Sequence, residues 1–187
     1  MAYMVLSRTF SEVVPYAQAS KHLRVWDDED RSYIESLIET AVGVAEKYMN
    51  RLVVESTVLV ELSQLDHQLP LGRAKSVQEV TYLNYEREER ETLPQEFYTF
   101  NPLSNRLVLK RAGQAYLKAH NAVEFQATYV TGWAADAIPA EVKHGVLMLV
   151  GTLYEMREDA TVGQGVTVNT VPVTHQYLFN KHKIHAV

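Results

Sequence analysis

Two pairs of residues in the C-terminal part of the sequence have spacings that metal sites use. Glu141 precedes His144 by three positions, and His182 precedes His185 by three. Di-iron bundles use such a Glu-x-x-His pair, but they need a second pair and glutamates from two further helices. The two C-terminal histidines have no acid or cysteine nearby and are interpreted as part of a basic tail. We therefore expect no metal and no cofactor, while one enzymatic hypothesis stays open, in which Glu141, His144 and Tyr154 converge in a pocket.

Other signatures of catalysis are missing from the sequence. The chain contains no cysteine, which excludes a cysteine nucleophile, thiolate metal sites and a disulfide-stapled fold. Walker-type, Gly-x-Ser-x-Gly and His-Glu-x-x-His motifs do not occur. Gly163 and Gly165 lack the third glycine and the preceding strand of a dinucleotide-binding loop, so we predict a turn there. The acids at 27–30 lack the spacing of a calcium loop and instead indicate the start of a helix.

Three predicted helices would position the functional side chains of the N-terminal and C-terminal parts of the chain. A short helix is expected at 16–23 and an amphipathic helix at 28–52, with Asp27 as its N-cap and apolar residues along one stripe. The third is predicted at 139–157 and is apolar on more than one side, so it needs partners on more than one side. Gly145 in its interior costs about 1 kcal/mol relative to alanine, which favours close packing at that position.

Between the long helices, residues 53–131 read as an inserted β region. Short β-type runs alternate with turn residues, and such local connections predict an antiparallel meander. The segment 112–120 is ambiguous between a loop and a short helix. A mixed-charge hairpin tip at 86–91 carries Arg87 and Arg90. The candidate strands are 56–62, 76–84, 96–100, 106–110 and 122–131.

The predicted helices and strands indicate the α+β class, and the composition is that of an ordinary soluble globular protein. The chain has 187 residues, of which 47% are hydrophobic, and a net charge of -5. That charge argues against a protein that grips nucleic acid, and no apolar run is long enough to span a membrane. Residues 27–46 hold seven acids and one base, so this segment accounts for the negative charge. The candidate acidic face consists of Asp28, Glu35, Glu39 and Glu46.

The last stretch, 158–187, is expected to be an extended tail. Its alternating valines cannot form a stable strand alone, and strand addition to a neighbouring sheet edge would satisfy their backbone groups. Together with the apolar helix and the missing catalytic motifs, this tail favours assembly over catalysis. The valines of this candidate interface are Val166, Val168, Val171 and Val173.

Three blocks of sequence, in this order, resemble the head-tail connector (adaptor) proteins of tailed bacteriophages and gene transfer agents. The first is ASKHLRV at 19–25, followed by the acids and the helix up to Arg51. The second is SVQEVTYLN at 76–84. The third is ATYVTGW at 127–133, with IPA at 138–140 and LYEMRE at 153–158. The resemblance covers roughly residues 15–160 and rests on structural rather than catalytic positions.

The resemblance implies a structural, non-enzymatic protein in the neck of a virion. A small helical core with a β insertion would assemble into a ring of about a dozen copies beneath the portal. The ring would extend the DNA channel, pass double-stranded DNA without specific binding, and offer a docking surface to the tail, for which the tip with Arg87 and Arg90 is a candidate. The acidic face would line the lumen or a docking surface. A portal-binding protein that completes heads without forming a ring by itself is the alternative. Further residues expected at the portal or subunit interface are Tyr177, Leu178, Phe179, Lys181 and Lys183.

Overall fold

The computed structural model describes residues 2–8, 13–156 and 174–185. The chain divides into two compact units. The β unit comprises Met1–Arg8 and Glu55–Gly132, and the helical unit comprises Thr9–Val54 and Trp133–Val187. Within the described ranges, helices and antiparallel sheets together confirm the predicted α+β class. No helix in these ranges combines the length and apolarity that a membrane span requires.

The described residues of these units form five α-helices and eight strands. The helices are α1 (Tyr16–Leu23), α2 (Arg31–Met49), α3 (Arg111–Ala119), α4 (Ala140–Glu155) and α5 (Thr174–Asn180) in the described residues. The strands there are β1 (Tyr3–Arg8), β2 (Ser56–Leu62), β3 (His67–Gln68), β4 (Ser76–Asn84), β5 (Glu89–Thr92), β6 (Tyr98–Asn101), β7 (Arg106–Leu109) and β8 (Ala122–Thr131). Short 3-10 helices occupy Gln95–Phe97 and Ala135–Ala137.

The core of the helical unit lies between α2 and α4. Ile34 and Val42 of α2 and Val146 and Val150 of α4 are fully buried. Helix α4 contacts α1, α2 and α5. These three partners satisfy the sequence-based requirement that a helix apolar on more than one side be covered on more than one side.

Helix α2 begins three residues later than the sequence pattern predicted. Asp30 precedes the first helical residue and makes no side-chain capping bond. Asp27, the predicted N-cap, instead accepts the Glu29 N–H at 3.2 Å through Oδ1. The first helical amide donates to the Asp28 carbonyl, so a backbone turn through the acids stands where a side-chain cap was expected. The helix ends at Met49, and the next residue, Asn50, takes a left-handed conformation with a φ of 52°.

The β unit contains a five-stranded sheet in the order β1-β2-β8-β4-β5 and a three-stranded sheet in the order β3-β7-β6. All pairings of the strands are antiparallel, as predicted. The order is not that of the expected meander, because β8, the last of the described strands in sequence, lies between β2 and β4. Formation of this sheet therefore depends on the pairing of β8 with β2 and β4, which are distant in sequence.

Several sequence-based boundaries in the β unit are confirmed and others change. Strands β2, β4 and β8 have the predicted limits. The run predicted as a strand at 96–100 begins in a 3-10 helix before β6. The ambiguous segment 112–120 forms α3. Strands β1, β3 and β5 were not predicted.

Candidate interaction surfaces

The three residues of the enzymatic hypothesis do not converge. The Glu141 Oε1 atom accepts a hydrogen bond from Lys181 Nζ at 2.9 Å, and this bond lowers the pKa of Glu141. The Tyr154 hydroxyl donates to Asp30 Oδ2 at 2.5 Å. Thirteen positions separate these two side chains along α4, which corresponds to about 20 Å. His144 is exposed between them, so the predicted catalytic pocket is not formed.

The C-terminal histidines are placed apart from any ligand cluster. In the described part of the chain, no three histidines, aspartates or glutamates form a group that could hold a metal ion. His182 is largely buried, and its Nε2 atom lies 3.9 Å from the Glu141 carboxylate. Burial lowers the pKa of His182, which favours its neutral form. His185 is exposed near the end of the chain.

Helix α5 is held in the core of its own unit by Phe179. This side chain is fully buried, and it packs where α4 presents Gly145. A Cβ atom built on Gly145 would lie 2.4 Å from Phe179 Cε1, so only glycine leaves room for the ring. The close packing predicted at Gly145 is thus a contact with an aromatic side chain. Because Phe179 is enclosed, it is removed from the expected portal or subunit interface.

The residues after α5 follow the C-terminal end of α2. The Ile184 N–H donates to the Met49 carbonyl at 2.8 Å. The Tyr48 hydroxyl donates to Asn180 Oδ1 at 2.6 Å, and Arg51 donates to the carbonyl of His182. The tail was expected to be extended over 158–187, and this is corrected for its described part, which is a helix followed by a docked segment.

The remaining candidate interface residues differ in their availability. Tyr177 is 79% exposed, whereas Leu178 is half-buried. Lys181 pairs with the α4 carboxylate described above. Lys183 Nζ lies 4.5 Å from the centre of a tyrosine ring of α2. Val166, Val168, Val171 and Val173 lie outside the described residues.

Glu46 does not share a surface with the other acids of α2. Its exposed fraction is 7%, and its Oε1 atom accepts the Val53 N–H at 2.9 Å. The carboxylate therefore stabilises the chain as it leaves the helix. The expected acidic face is corrected accordingly, because a carboxylate buried against its own backbone cannot face a lumen or a docking partner.

The exposed face of α2 is balanced in charge rather than acidic. Arg31 and Lys47 are exposed on this helix together with Glu35 and Glu39. Arg31 pairs with Glu35 at 3.1 Å. The excess of negative charge is concentrated just before the helix, at 27–29, where Asp28 is exposed. The acidic surface therefore lies at the N-terminal end of α2 and does not extend along the helix.

The β4–β5 hairpin exposes Arg87 more than Arg90, which lies within β5. Arg90 donates to the Glu124 carbonyl at 2.8 Å and lies 3.6 Å from its carboxylate. Arg87 is largely exposed and lies 3.4 Å from Glu91. Tyr85, next to the tip, is 72% exposed. Arg87 and Tyr85 thus form the accessible part of this tip.

The two most exposed large apolar side chains of the described residues were missed by the sequence analysis. Trp26 is 81% exposed and Leu103 is 86% exposed. Trp26 lies in the turn between α1 and α2, next to consecutive acids. A large aromatic residue inside a charged turn is the sequence signal that could have identified it, because such turns normally hold small polar residues.

No family model matches the sequence, and a search of curated proteins found no match. Solved structures do match over the whole chain. A chain of the structure "Neck of empty GTA particle computed with C6 symmetry" has a TM-score of 0.74 and 14% identity, and the match covers 100% of this chain and 97% of that chain. A chain of "Virion of native gene transfer agent (GTA) particle" has a TM-score of 0.71 and 16% identity with the same coverage. A chain of "Neck of native GTA particle computed with C12 symmetry" has a TM-score of 0.71, 15% identity and again the same coverage.

These similarities concern the arrangement of the backbone, since the identities are low. They extend from end to end of this chain and over nearly the whole of each matched chain. The fold of this chain is therefore that of chains in the neck and virion structures of a gene transfer agent, and the resemblance to head-tail connector proteins is confirmed at the level of the fold.

Proposed function

We propose that the protein is a structural component of the neck of a virion or virion-like particle, where it connects head and tail. The observation that carries this proposal is the match of the whole fold, at TM-scores of 0.71 to 0.74, to chains in neck and virion structures. A non-enzymatic role agrees with the separation of Glu141 from Tyr154 along α4. The place of action would be the neck itself.

In this role, copies of the chain would form a ring of about twelve around the DNA channel, beneath the portal. The symmetries in the titles of the matched neck structures, twelvefold and sixfold, are compatible with that number. The lumen must let double-stranded DNA pass without holding it. The exposed face of α2 agrees with this requirement, because its two acids balance its two bases and a balanced surface attracts phosphates only weakly.

The partners of the ring would be the portal on one side and a tail component on the other. The accessible tyrosine of α5, Tyr177, is proposed at the portal side together with Leu178 and Lys181. The tip of the β4–β5 hairpin, with Tyr85 and Arg87, is proposed as the docking surface for the tail. Exposed aromatic side chains are common anchors of protein interfaces, which supports this choice.

Cryo-electron microscopy of assembled particles tests the proposal. We expect density for this chain as a closed ring between portal and tail, with α2 toward the channel. Particles without this chain in the neck contradict the proposal. A single copy in place of a ring supports the head-completion alternative, and a ring with α2 on its outer wall refutes the lumen assignment alone.

A further inference from the structure

An exposed group with one aromatic residue precedes the first turn of α2. We call residues 26–29 the acidic knob, since Trp26 is followed there by the first three acids of the run at 27–30. The knob is held in place from within the helical unit. The Tyr16 hydroxyl donates to Asp28 Oδ1 at 3.2 Å, and the Glu29 N–H donates to the Asp27 carboxylate. A large exposed side chain on a held backbone loses little entropy when a partner covers it.

A groove of about 750 Å³ lies at the other end of α2. We call it the basic groove, because its lining contains two lysines and one histidine but no acid. Its remaining lining is largely apolar and includes Val44, which is 43% exposed. One wall comes from the segment after α5, where Lys183 lies over the ring of Tyr48. The lining residues are Val44, Lys47, Tyr48, Asn50, Lys183, Ile184 and His185.

The acidic knob and the basic groove complement each other but cannot meet within one chain. Helix α2 has 19 residues, which separates its two ends by about 28 Å. Both features belong to the helical unit, so this distance is fixed by the helix itself. A contact between them requires two copies of the chain.

We propose that the acidic knob of one copy docks into the basic groove of the next copy. Trp26 would cover the apolar floor at Val44 and Ile184, and the knob's carboxylates would face Lys47 and Lys183. Burying a tryptophan removes about 150 to 250 Å² of its surface from water. A contact between two different surfaces runs head to tail and closes into a ring when the rotation permits. This inference rests on the proposed ring and names the surfaces that form it.

Crosslinking in assembled particles tests the contact, because the native chain has no cysteine. The double variant Glu29→Cys with Lys183→Cys is treated with a short bis-maleimide reagent and analysed on a denaturing gel. We expect a ladder of covalent multimers, since each copy is linked on both sides. The single variants should give no multimers. The matched control Glu29→Cys with Thr40→Cys places its second thiol on the exposed middle of α2 and should give none either.

The outcomes separate this inference from the proposed function. Particles that contain the double variant but yield no multimers overturn the contact and leave the ring in place. Dimers without higher multimers also overturn it, because they indicate a two-fold contact instead of a head-to-tail one. Crosslinks from the groove to a portal or tail protein assign the groove to that partner and refute this inference. Particles without the chain refute the proposed function and the contact together.

Substitutions provide a second test. Trp26→Ala should lower the amount of this chain in purified particles at least about tenfold, as expected for an anchor residue, while Leu103→Ala, which removes a comparably exposed side chain, should not. Glu29→Lys and Lys183→Glu should each lower it, and the chain carrying both should recover, because every contact then holds the reversed pair. Wild-type amounts in Trp26→Ala and in both single charge variants refute the contact.

Discussion

The contact between Phe179 and Gly145 predicts how substitutions at both positions change the free energy of unfolding. Phe179 is fully buried and occupies the space that a Cβ atom on Gly145 would need, at 2.4 Å from the ring. Glycine within a helix normally costs stability relative to alanine, so Gly145→Ala should stabilise α4 in isolation. In the folded chain the ring of Phe179 opposes that gain.

The magnitudes follow from the two opposing effects. Phe179→Ala should cost about 3 to 5 kcal/mol of unfolding free energy, as other buried phenylalanines do. Gly145→Ala gains about 1 kcal/mol of helix propensity and loses about 1 to 3 kcal/mol to overpacking, so it should be neutral or destabilising by up to about 2 kcal/mol. In the Phe179→Ala background the overpacking disappears, and the same substitution should stabilise by about 1 kcal/mol.

Urea unfolding followed by tryptophan fluorescence measures these changes. Both tryptophans of the chain, Trp26 and Trp133, lie in the helical unit, so the signal reports that unit. Tyr177→Ala is the matched control, because Tyr177 is on the same helix but is 79% exposed, and it should change stability by no more than about 0.5 kcal/mol. If Phe179→Ala costs no more than this control, or Gly145→Ala stabilises the wild type, the placement of α5 is incorrect.

Two buried polar groups, Glu46 and Asn105, and the partly buried His182 give further predictions. Glu46→Ala leaves the Val53 N–H without this acceptor and should cost about 1 to 3 kcal/mol in urea unfolding, while Glu46→Gln, which keeps an oxygen, should cost less. Burial lowers the pKa of His182 below its ordinary value of 6.5, so the unfolded chain binds the proton better and the free energy of unfolding should fall as the pH drops below about 6.5. Urea midpoints measured at several pH values should decline less in His182→Gln than in the wild type. Asn105 makes three hydrogen bonds to backbone groups of 69–74 and has a φ of 54°. Asn105→Ala should therefore lower the free energy of unfolding by about 3 kcal/mol or more, measured by thermal unfolding followed by circular dichroism. A decrease below about 1 kcal/mol would contradict this role.

The elements with strong periodicity could be predicted from the sequence. The apolar stripe along α2 and the broader apolar surface of α4 mark them as buried helices, and the structure places both in one core. Strands β2, β4 and β8 are runs bounded by turn residues, and their limits were correct. In each case the pattern lies within a short stretch of chain, which is where single-sequence reasoning is informative.

The features that depend on distant partners could not be predicted. The place of β8 at the centre of its sheet requires pairing with strands far away in sequence. Glu46 looks like any exposed acid until the chain turns back and brings the Val53 N–H to it. Phe179 looks like an interface residue because nothing near it in sequence indicates the gap at Gly145. For this reason the predicted interaction surfaces had to be corrected, while the predicted fold class was confirmed.

The boundaries of the β insertion and the anchoring of the C-terminal segment depend on one cluster of residues in the helical unit. The Trp133 N–H donates to the Val53 carbonyl at 3.0 Å, so the two points where the chain leaves and re-enters this unit lie side by side. The Arg51 guanidinium lies 3.8 Å from the centre of the Trp133 ring and also donates to the carbonyl of His182. The rings of His182 and Trp133 lie perpendicular to each other, with 5.8 Å between their centroids. The Arg51 and Trp133 side chains therefore connect the C-terminal segment to the two points, at Val53 and Trp133, where the chain leaves and re-enters this unit.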